Sequence, residues 1–250
     1  MKAMILAAGL GTRLRPLTND RPKALVEVAG YTLLEMTLLR LHAFGIRDVI
    51  VNVHHFADMV IDYLRARNNF GMRIEISREA SLLDTGGGLK KAAWFFLENA
   101  RHAGEPFLLH NVDVISRIPF ERMLKFHLDG QALATLAVQD RKTSRYLLFD
   151  QQHQLCGRLS GRDQKAGLLR PSPRLRMQAL AFSGIHIISP RFLPMLREEG
   201  AFSIIDSYLR IAAQGETILA FPADPYYWRD LGQPESVAQT EKDIKKKLLP

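Results

Sequence analysis

Apolar and polar positions switch between two periods along the first half of this chain, and the switching predicts its architecture. Ala3-Met4-Ile5-Leu6 is an apolar run of strand length that ends just before two glycines. Over 32–44, Leu33, Met36, Thr37, Leu41 and Phe44 recur at helical spacing, and Gly45 closes the segment. The run 48–53 predicts a buried parallel strand, 59–67 a helix, 73–77 a strand, 89–97 a helix and 107–110 another buried strand. Val26-Glu27-Val28 reads as a short extended piece before a turn at Gly30. Strand and helix alternate four times. That predicts an α/β fold: a doubly wound, mostly parallel, Rossmann-like sheet covered on both faces.

From Gln131 the pattern changes. The segments 132–138, 146–149, 154–158 and 178–189 are strand-like with little helix between them, which predicts an antiparallel extension able to close over a ligand. The stretch 160–176, rich in Gly, Arg, Ser and Pro, predicts a loop. A helix over 204–214, a strand over 217–221 and a closing helix over 234–248 complete the chain. There is no internal repeat and no hexapeptide pattern of the kind that builds a β-helix.

Composition adds limits. A charged fraction of 24% and a hydrophobic fraction of 47% over 250 residues suit one globular domain that needs no staples. The single cysteine, Cys156, allows no internal disulfide, fits a reducing compartment and predicts a packing role. Net charge is +8, from 34 basic and 26 acidic residues, which suits phosphorylated ligands. Nucleic acid is not expected as a partner, because no aromatic-basic recognition signature is present. Lys242, Lys245, Lys246 and Lys247 read as the solvated end of a helix. No apolar run is long enough for a membrane span or a signal segment, so a cytoplasmic protein is expected, as monomer or small homo-oligomer.

The candidate chemistry begins where the first strand ends, in Ala7-Ala8-Gly9-Leu10-Gly11-Thr12-Arg13-Leu14-Arg15-Pro16. Two glycines let the backbone turn tightly and bring its N–H groups close to a ligand. Arg13, Arg15 and then Lys23 supply cations where phosphate oxygens would sit. The run is neither a dinucleotide fingerprint, since position 14 is Leu, nor a P-loop, since no Gly-Lys-Ser/Thr follows. Asp113 follows the predicted strand 107–110, so it should share a crevice with the glycine loop at the carboxyl edge of the sheet. His54, His55 and His110 lack zinc spacing.

The composite Gly9 to Thr18, followed by Pro22-Lys23-Ala24-Leu25, resembles the signature of the sugar-1-phosphate nucleotidyltransferases, and the likeness runs from about residue 2 to about residue 241. The resemblance implies transfer of a nucleotidyl group from a nucleoside triphosphate to a sugar 1-phosphate, with release of pyrophosphate and with Mg²⁺ as cofactor. It implies one domain over 1–250: a nucleotide-binding half (1–130), a sugar-binding half (131–233) and a C-terminal helix (234–250). Arg13 would hold the leaving pyrophosphate, Lys23 would neutralise the α-phosphate or incoming phosphate, and Asp113 and Asp230 would ligate the metal. Ala7, Ala8, Gly9, Gly11 and Thr12 would cradle the triphosphate. Thr85, Gly86 and Gly87, in Asp84-Thr85-Gly86-Gly87-Gly88, would admit the nucleobase, with Thr85 able to cap the helix and Glu79 able to read the base edge. Asn111, Arg145, Gly184 and Asp206 are the sugar-side candidates.

Two departures from the family pattern stand out. Val112 occupies a place where glycine is usual, and a β-branched side chain there could crowd a phosphate. The Glu-Lys-Pro run of longer relatives is missing, leaving Arg141, Lys142 and Arg145 as stand-ins for its lysine. Among short relatives the chain most resembles N-acetylmuramate 1-phosphate uridylyltransferases, with mannose 1-phosphate guanylyltransferases close behind, so UTP is slightly favoured over GTP. Two rival classes are a non-catalytic nucleotide-sugar-binding regulator, disfavoured by the retained cations and carboxylates, and a nicotinamide-dependent oxidoreductase, disfavoured by Leu14.

Overall fold

The computed structural model describes residues 1–98, 104–160, 165–169 and 176–245. In chain order its elements are β1 (Ala3–Leu6), β2 (Glu27–Val28), β3 (Tyr31–Thr32), α1 (Leu33–Ala43), β4 (Asp48–Val53), α2 (Ala57–Ala66) and β5 (Arg73–Arg78). Next come α3 (Asp84–Lys91), α4 (Ala93–Leu97), β6 (Phe107–Asn111), β7 (Val114–Ser116), α5 (Phe120–Asp129) and β8 (Ala134–Gln139). The chain continues through β9 (Tyr146–Phe149), β10 (Leu155–Ser160), β11 (Lys165–Leu168) and β12 (Gln178–Ile188). It closes with α6 (Ile204–Ala213), β13 (Ile218–Pro222), β14 (Trp228–Asp230) and α7 (Pro234–Lys245).

The expected mixed sheet is present. β6, β1, β4 and β5 lie side by side and parallel, with Leu6 in register with Asn52 on one side and Asn111 on the other. β12 pairs antiparallel with β6 and carries the extension onward through β9, β10 and β11, while β8 and β13 branch from its other partner face. Because side chains alternate along a strand, Ala3 and Ile5 enter one apolar cluster and Met4 the other. The two cores thus divide by sheet face. At the start of α1 the Thr32 hydroxyl accepts from the Glu35 N–H at 3.1 Å, a side-chain cap on the free first turn.

Several expectations need correction. The predicted helix 89–97 is broken at Ala92 into α3 and α4, and it begins earlier, at Asp84. The predicted loop 160–176 contains a strand, β11, paired antiparallel with β10; 161–164 and 170–175 lie outside the described residues. α5, β7 and β14 were not anticipated. The final helix is described to Lys245, so Lys246 and Lys247 fall outside. Among the described residues no helix is long and apolar enough to cross a membrane. Cys156 sits half-buried in β10, where burial raises its thiol pKa.

Three histidines are locked in the interior as neutral rings. Burial pushes His110 and His186 down to about 3, helped by the Arg40 charge in the first case and by His110 in the second, and it pushes His127 down to about 4, helped by Arg191. His186 meets the Tyr208 hydroxyl at 3.0 Å, and His127 lies between Thr135 and Ser189 hydroxyls, each at 3.0 Å. Each folded value lies below the unfolded value near 6.5, so this stability is complete above about pH 6.5. It is lost as pH falls toward the folded values, because only the unfolded chain takes up the proton. Lowering the pH from 7 to 5 should cost about 2 kcal/mol per histidine. Urea unfolding at the two pH values checks this, and equal stabilities would refute it.

Candidate active site

β1 stops at Leu6, and the next peptide turns away from the sheet. The Ala7 N–H donates to Asn52 Oδ1 at 2.7 Å instead of to a neighbouring strand. Gly11 adopts φ 65°, and a Cβ there would come within 2.9 Å of the Thr18 methyl, so both its conformation and its surroundings require glycine. Its carbonyl accepts from the Thr18 hydroxyl at 2.8 Å and the Leu14 N–H at 2.9 Å, closing the Thr12–Leu14 helical turn. Leu14 is wholly buried and fastens the loop to the core. The Cβ direction of Gly9 faces open space. Gly9, Gly11, Thr12, Arg13, Leu14, Lys23 and Gly232 line a cavity of about 110 Å³.

Charges of both signs meet beside that cavity. Lys23, in a tight turn over Lys23–Leu25, donates from Nζ to Asp113 Oδ2, with both side chains largely buried. The second carboxylate arrives through a two-stranded ribbon: β14 runs antiparallel to β7, with Asp230 opposite Val114, and the Leu231 N–H donates to the Asp113 carbonyl at 2.8 Å. Asp230 Oδ1 accepts from the Gly232 N–H at 2.6 Å. Burial raises the Asp230 pKa first and the nearby Asp113 charge second, while Lys23 and Arg13 oppose both. A Cβ on Gly232 would lie 2.6 Å from Asp230 Oδ1 and 2.8 Å from Arg13 Nη2. Glycine at 232 therefore lets the guanidinium and the carboxylate lie against one backbone position.

The ribbon is held from three sides. Arg40 donates to the Ser116 hydroxyl at 2.7 Å and to the Ile118 carbonyl, with its guanidinium over the Phe120 ring at 3.9 Å; burial lowers its pKa to about 9. Trp228 Nε1 donates to the Ser183 carbonyl at 2.7 Å. Asp243 on α7 accepts from Tyr227 at 2.8 Å, from Arg229 at 3.0 Å and from Gln239 at 2.9 Å.

Of the three basic stand-ins, the structure brings Arg141 into this neighbourhood. Its guanidinium stacks over Trp228 at 4.0 Å, and Nη2 donates to the Phe182 carbonyl at 2.7 Å. Its buried Nε has no partner among the described residues. Burial lowers its pKa, and the charge of Asp230 pulls the other way. Lys142 and Arg145 are exposed. Asp206 is also exposed and pairs with Arg158 at 2.6 Å. Gly184 has φ 74°, and a Cβ there would meet Val114 at 2.8 Å and Asn111 Nδ2 at 2.9 Å, so this glycine admits the side chains of β6 and β7.

The glycine run around Thr85 is differently employed. Gly86, Gly87 and Gly88 are buried inside α3, and added Cβ atoms would strike the Phe202 ring at 2.3 Å, the Gly200 carbonyl at 2.5 Å and Asn52 Nδ2 at 2.8 Å, respectively. The Gly86 N–H donates to the Phe202 carbonyl at 2.9 Å. Thr85 does not cap its own helix; its hydroxyl accepts from the Ile204 N–H at 3.0 Å, at the start of α6. Glu79 is buried, with both carboxylate oxygens occupied by protein donors. Asn52 and Gly232 are the residues that sequence reasoning passed over. The lone amide inside the apolar run of β4 was the available signal for Asn52.

Val112 does not crowd the cavity. It is buried in the same apolar cluster as Leu14 and Leu231 and is not among the residues that line the cavity. Val112→Gly should therefore lower stability by about 3 kcal/mol, through lost packing and added chain entropy, and leave kcat/KM unimproved. Denaturant unfolding beside a steady-state assay checks both halves.

Opposed cations and carboxylates around one small cavity, at the carboxyl edge of an open sheet, fit a transferase that acts on phosphate esters. The sequence model for nucleotidyl transferases matches residues 2–247. The chain is 36% identical over 246 residues to N-acetylmuramate alpha-1-phosphate uridylyltransferase of Caulobacter vibrioides, spanning 96% of this chain and 95% of that one. It is 30% identical over 237 residues to mannose-1-phosphate guanylyltransferase 1 of Arabidopsis thaliana, spanning 94% of this chain but 62% of that longer one. The fold is similar to the crystal structure of HddC from Yersinia pseudotuberculosis, with a TM-score of 0.74 at 22% identity, covering 97% of this chain and 99% of HddC. The chain belongs to the nucleotidyl transferase family. It is an enzyme of the sugar-1-phosphate nucleotidyltransferase type that its glycine-loop signature resembles.

Proposed function

We propose that this enzyme transfers a uridylyl group from UTP to N-acetylmuramate 1-phosphate, yielding the UDP-sugar and pyrophosphate, in the cytoplasm as a step toward a cell-wall precursor. The relation to the Caulobacter vibrioides enzyme over nearly the full length of both chains supports this substrate pair. A guanylyltransferase acting on mannose 1-phosphate is the second reading, favoured by the Arabidopsis thaliana relative.

The reaction is one in-line displacement. A phosphate oxygen of the sugar 1-phosphate bonds to the α-phosphorus, and the bond from that phosphorus to the bridging oxygen of the β-phosphate breaks, so pyrophosphate carries away the electron pair. Little covalent work falls to the protein, so positioning and charge neutralisation dominate. The backbone around Gly9 to Thr12 cradles the triphosphate, with Gly9 leaving space and Arg13 taking the departing pyrophosphate. Lys23 meets the α-phosphate. Arg141, with a buried N–H that lacks a partner among the described residues, takes the acceptor phosphate in place of the missing lysine. Asp113 and Asp230 are hard oxygen donors, and burial and the Asp113 charge both raise the Asp230 pKa; these two carboxylates, completed by phosphate and water, would hold Mg²⁺. Mg²⁺ held there would supply charge neutralisation at the α-phosphate. Residues 1–130 serve the nucleotide and 131–233 the sugar. Arg145, Asn111, Gly184 and Asp206 lie on the sugar side.

The observation that carries the reaction class is that Arg13 and Lys23 line one cavity, with Asp113 paired to Lys23 and Asp230 held beside Gly232 within reach of the Asp113, Lys23 and Arg13 charges. The test is pyrophosphate release across a matrix of UTP, GTP, dTTP and ATP against several sugar 1-phosphates with Mg²⁺. The highest kcat/KM is expected for UTP with N-acetylmuramate 1-phosphate. A preference for GTP with mannose 1-phosphate moves the assignment to the second reading, and silence throughout the matrix defeats both.

A further inference from the structure

A buried chain of side-chain hydrogen bonds links the start of the glycine loop to the turn before α3. At one end the Ala7 N–H, first amide of the glycine loop, donates to Asn52 Oδ1 at 2.7 Å. Asn52 Nδ2 donates to Glu79 Oε1 at 2.7 Å, and Glu79 Oε2 accepts from the Leu83 N–H, directly before α3, at 3.0 Å. Asn52 is 2% exposed and Glu79 3%. Among the described residues no Lys, Arg or His side chain pairs with the Glu79 carboxylate. Gly88 exists in its present form because of this chain: a Cβ there would lie 2.8 Å from Asn52 Nδ2 and 2.9 Å from Glu79 Oε1.

The polarity of the chain is fixed from both ends. Backbone amides only donate, so Ala7 forces the Asn52 oxygen toward itself and the Asn52 nitrogen toward Glu79. Leu83 likewise presents an N–H. The residue between them must accept on both sides, which a carboxylate does and a carboxamide cannot. A buried polar chain of this kind is rigid when every member is matched and costly when one is not.

We propose that Asn52 and Glu79 are positioning residues, which hold the glycine loop and the entrance of α3 as one rigid receptor for the nucleoside triphosphate. The inference rests on the nucleotidyl-transfer reading and gives Glu79 a positioning task in place of reading the base edge, since the residue is 3% exposed and each carboxylate oxygen accepts from the protein. Asn52 and Glu79 act through the Ala7 amide and the turn at Leu83.

The polarity argument supplies its own test. In E79Q one neighbouring N–H is left facing an NH₂ group, and in N52D two carboxylates face each other. In N52D/E79Q every contact is matched again with the middle bond reversed. The introduced carboxylate accepts from Ala7 and from the new amide, whose oxygen accepts from Leu83. Calorimetric titration with UTP and GTP, in the absence of sugar phosphate, reads the dissociation constant without requiring turnover. For the better-bound triphosphate, each single variant is expected to weaken binding about tenfold, and the double variant to return to within threefold of wild type. In the steady-state assay the KM for triphosphate should follow the same pattern while the KM for sugar 1-phosphate stays constant.

G88A, which crowds both side chains and removes neither, should weaken triphosphate binding as well and serves if N52D does not fold. Unchanged triphosphate affinity in E79Q and G88A overturns the proposal, as does a double variant no better than the worse single. A loss confined to melting temperature also overturns it. Wild-type protein that binds triphosphate but releases no pyrophosphate counts against the reaction and leaves the binding comparison decisive.

Discussion

Asp113→Asn lowers kcat for pyrophosphate release by about three orders of magnitude while the protein stays folded. The substitution keeps the shape of the side chain and its contact with Lys23 Nζ, so the ribbon that presents Asp230 is undisturbed. What disappears is one of two anionic oxygen donors beside the cavity. A carboxylate acts on this anionic transition state only through the cation it would hold, and the charge stabilisation at stake is several kcal/mol. A second signature accompanies the loss. The Asp113 charge helps to raise the Asp230 pKa, so in D113N that pKa falls and the acid limb of the residual pH–rate profile moves to lower pH. Single-turnover pyrophosphate release across pH 5 to 9 reads both effects. A rate within tenfold of wild type would remove Asp113 from the chemistry.

Lys23→Met is expected to reduce kcat/KM to a similar degree, about 10³-fold, by withdrawing a point charge from the α-phosphate. It also leaves the largely buried Asp113 carboxylate without its cation, so a fall of a few kcal/mol in stability is expected alongside. Lys23→Arg should recover little, because a planar fork does not replace a compact ammonium in a confined place. The double variant K23M/D113N should lose no more activity than the worse single, since groups that act as a unit are not additive. Additive losses in that cycle would mean that the two residues serve separate steps.

The contrast between Glu79 and Asp113 shows where sequence reading stops. Both are acidic residues near the carboxyl ends of predicted strands, and a likeness of motif assigned each to a ligand. Asp113 lies beside the cavity, whereas Glu79 is filled by Asn52 and Leu83. The difference depends on a partner 27 positions away on another strand and on the missing Cβ of Gly88. Likewise the run Gly86 to Gly88 signals small residues without saying whether a ligand or the chain itself fills the space. Here the segment from Gly200 to Ile204 packs against Gly86 and Gly87. α5 is another matter: Phe120, Met123, Leu124 and His127 recur at helical spacing, so that helix was legible and was missed.

By itself the sequence determined the alternating strands and helices, the glycine loop at the end of β1, and the cations and carboxylates available for phosphate chemistry. These follow from local periodicity, turn chemistry and motif spacing, which need only neighbours along the chain. Tertiary structure alone decided how a short ribbon carries Asp230 to Asp113, that Arg13 lies against Gly232, that Val112 is buried in the core, and that Arg141 stacks on Trp228 while Arg145 is exposed. The physical reason is the scale of the elements involved. β7 and β14 have three residues each, too few for any periodic signal, and Arg40, the Ser183 carbonyl and Asp243 hold them from three other parts of the chain.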